Sequence, residues 1–272
     1  MDLVFFDLDG TLLNNSSQIS VFTRETLALM RDKNVAYTVA TGRTMLSARA
    51  IIGESDFSLP QVYNNGVTIW NPQSEQLVLD NLLGDDEIKT VLTATARLGI
   101  TPFVHVIDHH EHVIYHPAPQ HEVERTLIDK HYSVTHATLF PLEALPANAS
   151  VTNISMIGSP DLVEGMGQTV DANPNLVAYS GPAMEGGQYR WMDIHHCLAN
   201  KGTATMQLKH ELGASNIICF GDSDNDLSMF ELADECYAPA NAKPAIKAAA
   251  SKVIGDNHED GIAHFLRERF SL

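Results

Sequence analysis

Apolar residues 3–6 run unbroken to Asp7, a pattern that predicts a short buried strand ending at an acid. A loop rich in Asn and Ser follows. From Ser20 onward Val21, Leu27 and Met30 recur at helical spacing. Residues 35–40 form a second β-rich run stopped by Thr41-Gly42. Residues 44–52 then carry a helical pattern, and residues 61–63 read as a strand before Asn64-Asn65-Gly66. Strand and helix alternating over so short a span predict a parallel sheet covered by helices.

The alternation returns near the end of the chain. A helical stretch at 201–212 precedes an apolar run, 217–220, that stops at Gly221-Asp222. A helix from Asn225, a strand at 236–238 and helices at 244–250 and 261–269 follow. Together the two ends, 1–80 and 189–272, predict one α/β domain: a doubly wound, Rossmann-like parallel sheet. Residues 81–188 differ in texture, being richer in His and Pro. Helical patterns at 85–98, 121–131 and 161–172 alternate there with strand patterns at 102–107, 112–116 and 151–157, which predicts an inserted α+β domain.

Composition narrows the class. With 272 residues the chain has room for just under two domains of ordinary size, and for a core that needs no disulfide or structural metal. The net charge of −17 repels phosphate backbones and anionic lipid, so neither nucleic acid nor membrane is an expected partner. The three cysteines form no CxxC pair and leave one over, which points to a reducing compartment. The N-terminus lacks a basic flank, and no stretch has the length of apolar residues that a membrane span needs. A cytoplasmic protein is expected.

Four segments carry candidate chemistry, each at a strand end or helix start of the predicted sheet. In Asp7-Leu8-Asp9-Gly10-Thr11 two acids close a buried strand, an expensive arrangement unless a divalent cation sits with them; taken alone, it also suits a solvated turn. Ala40-Thr41-Gly42-Arg43 offers a hydroxyl and backbone amides to a phosphate, though Thr is also an ordinary helix cap. Lys201 opens a helix, where a cation opposes the dipole, which hints at a role other than capping, although a bare surface lysine is the commoner case. Gly221-Asp222-Ser223-Asp224-Asn225-Asp226 gathers three carboxylates suited to a hard cation, but the twelfth position from Asp222 is Ala233, so it is no calcium-sensor loop.

These segments, with Asn64-Asn65-Gly66, make the sequence resemble the haloacid dehalogenase-like (HAD) hydrolase superfamily, and within it the Cof-type, subclass IIB phosphatases. The resemblance spans nearly the whole chain. It implies that Asp7 is the nucleophile, forming an aspartyl-phosphate, and that Asp9 is general acid and then base. It implies Mg²⁺ held by Asp7, the backbone carbonyl of Asp9, and Asp222, with Asp226 supporting that site. The amide of Leu8, Thr41, Gly42, Lys201 and Asn225 would bind the phosphoryl group. The insertion falls where subclass II members place a cap. Arg43, Asn65 and Arg190 are candidate substrate contacts, although Arg43 also suits a structural ion pair.

The implied substrate is a small phosphorylated metabolite, a sugar phosphate or a phosphorylated cofactor such as pyridoxal phosphate, acted on by a monomer or small homo-oligomer. A phosphomutase of the phosphomannomutase type and a catalytically silent binder of phosphorylated ligands are the alternatives. A signalling receiver domain would also gather acids, Thr and Lys, but it is shorter and carries its acceptor Asp on a later strand. Eight of the thirteen histidines lie between His105 and His136, with Asp108-His109-His110-Glu111-His112 the densest run, which reads as a polar hairpin turn without metal-protease spacing.

Overall fold

A computed structural model describes residues 1–272 apart from 54, 56, 109, 110 and 133–136. Contacts divide the chain into two compact units, residues 1–78 with 200–272 and residues 79–199. In chain order the first unit begins with β1 (Asp2–Phe6), α1 (Val21–Asp32), β2 (Ala36–Val39), α2 (Met45–Ile52), β3 (Gln61–Tyr63), β4 (Thr68–Asn71) and β5 (Gln76–Leu79). The second unit contains α3 (Asp85–Leu98), β6 (Phe103–Asp108), β7 (Glu111–His116), α4 (Glu122–Leu127), β8 (Thr138–Pro141), β9 (Val151–Gly158), α5 (Pro160–Asp171), β10 (Leu176–Pro182) and β11 (Arg190–His196). The first unit resumes with α6 (Lys201–Glu211), β12 (Asn216–Phe220), α7 (Leu227–Leu232), β13 (Glu235–Ala238), α8 (Pro244–Ala249), β14 (Lys252–Val253) and α9 (Gly261–Phe270).

In the first unit β14, β13, β12, β1 and β2 lie side by side in that order, all parallel. Successive residues of β1 feed opposite faces. Val4 and Phe6 pack with Ile218, Phe220 and the α1 residues Leu27 and Met30. Leu3 and Phe5 pack with Ile217, Cys219 and the α6 residues Ala204 and Leu208. Burial on both faces is the reason these strands read as continuous apolar runs rather than alternating ones. This is the expected doubly wound α/β sheet, and its carboxyl ends bring Asp7, Thr41 and Asp222 to one edge.

The second unit is α+β. Its sheet runs β10, β11, β9, β6, β7, β8, with only the β7–β8 pair parallel. Val104, Val106, Ile154, Met156, Met192 and Ile194 pack on one face against α3 and α5, through Val91, Ala94, Val163 and Met166. The chain returns to the first unit at residue 200 rather than at the expected 189, because β11 is hydrogen-bonded between β9 and β10. The helix expected over 121–131 is regular only as α4.

The histidine-rich run is a hairpin of β6 and β7, and its His109 and His110 lie outside the described residues. His112 lies in β7, as the strand pattern over 112–116 predicts, but it is buried rather than part of a solvated turn. Its Nε2 is 2.9 Å from Nδ1 of buried His105, whose Nε2 is 2.7 Å from the Ser155 hydroxyl. Burial pushes His105 down to about 4, with Asp193 opposing, and pushes His112 down to about 3. Both rings are therefore neutral at pH 7, while in the unfolded chain they would protonate near an ordinary value of about 6.5. The unfolded state binds more protons between these limits, so this contribution to stability is present above pH 6.5 or so and is lost as the pH falls toward 4. Imidazole NMR signals of His105 and His112 are expected to stay those of neutral rings from pH 7.5 to pH 5; a midpoint near 6.5 for either would contradict the burial argument.

Candidate active site

Asp7 follows the last residue of β1, and its amide donates to the Phe220 carbonyl across the sheet at 3.0 Å. That bond fixes the acid at the sheet edge, where its side chain is nearly buried, 8% exposed. The chain then turns tightly through Leu8–Leu12, with Gly10 at φ 73°, in the left-handed region; a Cβ there would also collide with the Asp222 carboxylate. The Thr11 hydroxyl donates to Asp222 Oδ1 at 3.1 Å, a tie between the first strand's turn and the loop after β12.

Lys201 is the first residue of α6 and is fully buried. Its ammonium donates to Asp7 Oδ1 at 2.6 Å and to Asp226 Oδ1 at 2.7 Å. This explains a cation at a helix N-terminus. The helix is capped independently, by the Asn200 side chain accepting from the Thr203 amide at 2.9 Å, and Lys201 answers to the carboxylates rather than to the dipole. Burial disfavours its charge, but Asp226 and Asp7 together outweigh that and hold its pKa above the ordinary value. Asp226 Oδ2 accepts from the amides of Asp222 and Ser223, both at 2.9 Å, which folds the loop back on itself.

Carboxylate oxygens of Asp7, Asp222 and Asp226 all lie within 4.8 Å of one another. One lysine faces three acids there. Burial raises the pKa of Asp7 well above the usual carboxylate range; Lys201 pulls it down, and Asp226 and Asp222 push it up. Burial, then Asp226, raises Asp222 to about 6. An all-oxygen cluster with surplus negative charge fits a hard divalent cation such as Mg²⁺.

Beside this cluster Thr41 is buried, and its amide donates to the Val62 carbonyl at 3.0 Å. Its hydroxyl oxygen accepts from the Arg43 amide at 3.1 Å. The Asn64-Asn65-Gly66 turn holds this loop from behind, since the Asn64 amide donates to the Arg43 carbonyl at 2.9 Å and the Asn65 amide to the Thr41 carbonyl at 3.1 Å. All three turn residues have positive φ, 49°, 54° and 105°, which Asn and Gly tolerate best. At Gly66 a Cβ would strike the Asn200 carbonyl, so the same turn sits directly against the entry to α6. The Asn225 side-chain amide donates to Asn65 Oδ1 at 2.8 Å, with Gly42 against both side chains.

Asp7, Asp222, Asp226 and Lys201 thus form one cluster, and Thr41, Gly42, Asn65 and Asn225 form the loop beside it. Leu8 is buried in the core and gives only its backbone to the turn. The side chain of Asp9 is turned to Arg43, whose Nε and Nη2 donate to its two oxygens, both at 2.6 Å. Arg190 belongs to the second unit, where it borders a cavity of about 480 Å³ with Glu164, Asp171 and Ser180. Two supporting contacts are not legible in the sequence motifs that hold them, the Thr11 hydroxyl on Asp222 and the Asn64 amide on the Arg43 carbonyl. Thr11 stood inside the quoted motif, but nothing local marks its partner 211 positions away.

The model of the haloacid dehalogenase-like hydrolase family matches residues 4–266. A 5-amino-6-(5-phospho-D-ribitylamino)uracil phosphatase of Bacillus subtilis (strain 168), YitU, is 28% identical over 293 residues, covering 99% of this chain and 98% of that protein. An HMP-PP phosphatase of Enterobacter sp. (strain 638) is 29% identical over 270 residues, covering 97% and 94%. Among solved structures, the HAD subclass IIB sugar phosphatase BT4131 superposes with a TM-score of 0.80 at 20% identity, covering 100% of this chain and 99% of that one. At that identity the likeness is one of fold.

Replacing Lys201 by Met leaves Asp7 and Asp226 buried without their shared cation. A loss of about 3–5 kcal/mol of stability is expected, read from urea denaturation at pH 7. An unchanged midpoint would show that the ammonium is not what holds these acids.

Proposed function

The chain belongs to the haloacid dehalogenase-like hydrolase family and is a phosphatase of that family; on that basis we propose that it hydrolyses small phosphorylated metabolites, sugar phosphates or phosphorylated cofactors such as pyridoxal phosphate, through an aspartyl-phosphate on Asp7, with Mg²⁺ as cofactor. The observation that carries this reading is the Asp7 carboxylate, fixed through Oδ1 by a buried ammonium at 2.6 Å beside two further acids. The relatives that act on small phosphorylated compounds support the substrate class.

The second oxygen of Asp7 attacks phosphorus, and the bond from phosphorus to the substrate's bridging oxygen breaks. Asp9 gives that oxygen its proton. Water then attacks the phosphoryl-aspartate, Asp9 takes the proton released, and phosphate leaves with Asp7 restored. Splitting the hydrolysis in this way replaces one difficult step by two easier ones. Thr41, the amides of Gly42 and Leu8, Lys201 and Asn225 hold the phosphoryl oxygens. Phosphoryl transfer asks mainly for such positioning and charge neutralisation. Asp7, Asp222 and the carbonyl of Asp9 would hold the Mg²⁺, which supplies positive charge to the phosphoryl oxygens, and Asp226 supports them through Lys201 and the loop amides. On this reading the inserted unit, residues 79–199, is the cap.

Among the described residues no helix is long and apolar enough to cross a membrane. With net charge −17 and three free cysteines, a cytoplasmic enzyme working as a monomer or small homo-oligomer, without nucleic acid, fits best.

Phosphate release from a panel of phosphorylated metabolites tests the proposal. Wild type with Mg²⁺ is expected to act, EDTA to silence it and added Mg²⁺ to restore it. Asp7→Asn is expected to lose roughly 10³-fold or more while staying folded. Full activity in EDTA would remove the metal, and activity retained in Asp7→Asn would remove the nucleophile.

A further inference from the structure

Asp9 and Arg43 make an arrangement that ties up the acid and base of the proposed reaction. Both oxygens of Asp9 accept from one guanidinium, in a bidentate fork at 2.6 Å each. While that fork is closed, each oxygen keeps only the lone pair that the guanidinium leaves it. Opening the pair frees Asp9 to exchange a proton with the bridging oxygen of a bound phosphate ester.

The surroundings make opening easy for one partner and costly for the other. Asp9's side chain is about half exposed, 53%, so water can take over its solvation. Arg43's is only 25% exposed, so once Asp9 departs its charge is left short of water and without a directly bonded counter-ion, Asp7 acting only from a distance. Its backbone is fixed, the amide to the Thr41 hydroxyl at 3.1 Å and the carbonyl to the Asn64 amide at 2.9 Å, so only the side chain can move. The planar guanidinium matches a carboxylate or a phosphate, and it would accept either in place of Asp9. Because one anion replaces another on the guanidinium, the exchange costs little when the substrate offers one.

We propose that Arg43 is a specificity-determining residue that exchanges Asp9 for a second anionic group on the substrate, so that the enzyme prefers phosphate monoesters whose leaving portion carries a carboxylate or another phosphate. Such a substrate would release Asp9 for the chemistry by the act of binding. A neutral leaving portion leaves the fork to open unaided. The inference rests on the phosphatase reading above and names the substrate class of that site.

Matched substrates test it. Phosphoglycerate is compared with glycerol phosphate, and carboxyphenyl phosphate with phenyl phosphate, in kcat and KM separately. Wild type is expected to favour the anionic member of each pair by about tenfold or more in kcat/KM, the size of a charge-assisted hydrogen bond. In Arg43→Gln that ratio is expected to fall to near one, through a higher KM for the anionic member and, with the fork gone, a higher kcat for the neutral one. Arg43→Lys, which keeps the charge but not the fork, is expected to retain part of it. No preference in wild type, or a ratio unchanged in Arg43→Gln, would overturn the proposal. p-Nitrophenyl phosphate is run alongside: if folded wild type hydrolyses it without discriminating within the pairs, this inference alone fails. No release from any compound would remove the phosphatase reading and the inference with it.

Discussion

The buried ammonium of Lys201 is the interaction on which the rest of the site depends. It reaches Asp7 at 2.6 Å and Asp226 at 2.7 Å, and all three side chains are almost withdrawn from water. Two carboxylates at that depth without a cation would be driven to protonate or to move apart. With it, the end of β1, the start of α6 and the loop after β12 are bound into one piece. Asp226 extends the web by accepting the amides of Asp222 and Ser223, and Thr11 closes it by donating to Asp222. The remaining negative charge is what makes the cluster suited to a hard cation, so one electrostatic constraint accounts for both the architecture and the expected cofactor.

A second, backbone constraint aligns the Thr41-Gly42-Arg43 loop with that web. The Asn64-Asn65-Gly66 turn donates amides to the carbonyls of Arg43 and Thr41, abuts Asn200, and accepts from Asn225. Its three positive φ angles let a short turn present amides in several directions at once. The two constraints differ in kind, charge pairing in one and backbone geometry in the other, and they meet at residues 200–201.

The parallel core was readable because burial on both faces writes its strands as uninterrupted apolar runs, each cut off by candidate site residues: Asp7 after Phe6, Thr41 after Ala40, Gly221-Asp222 after Phe220. Lys201 was readable because it breaks a local rule of helix electrostatics. The second unit was less so. Its α3 emerged with the expected bounds, 85–98, from a clean amphipathic pattern. β11, in contrast, mixes Trp, Asp and His on one face with Met and Ile on the other, and nothing local assigns it to the inserted sheet rather than the core. His112 looked like turn chemistry because a histidine's polarity says nothing about a buried partner such as His105. The fork between Arg43 and Asp9 joins two motifs from separate strand ends, and pairing at that distance in sequence leaves no local mark.

The central claim, that Asp7 carries the phosphoryl group, is tested most directly by quenching the working enzyme in acid during turnover and examining its peptides by mass spectrometry. The account predicts that the peptide containing Asp7 becomes heavier by one phosphoryl group, and that the label disappears once substrate is exhausted. Phosphate released at full rate with that peptide unmodified throughout would contradict it, and would require water to attack the substrate directly.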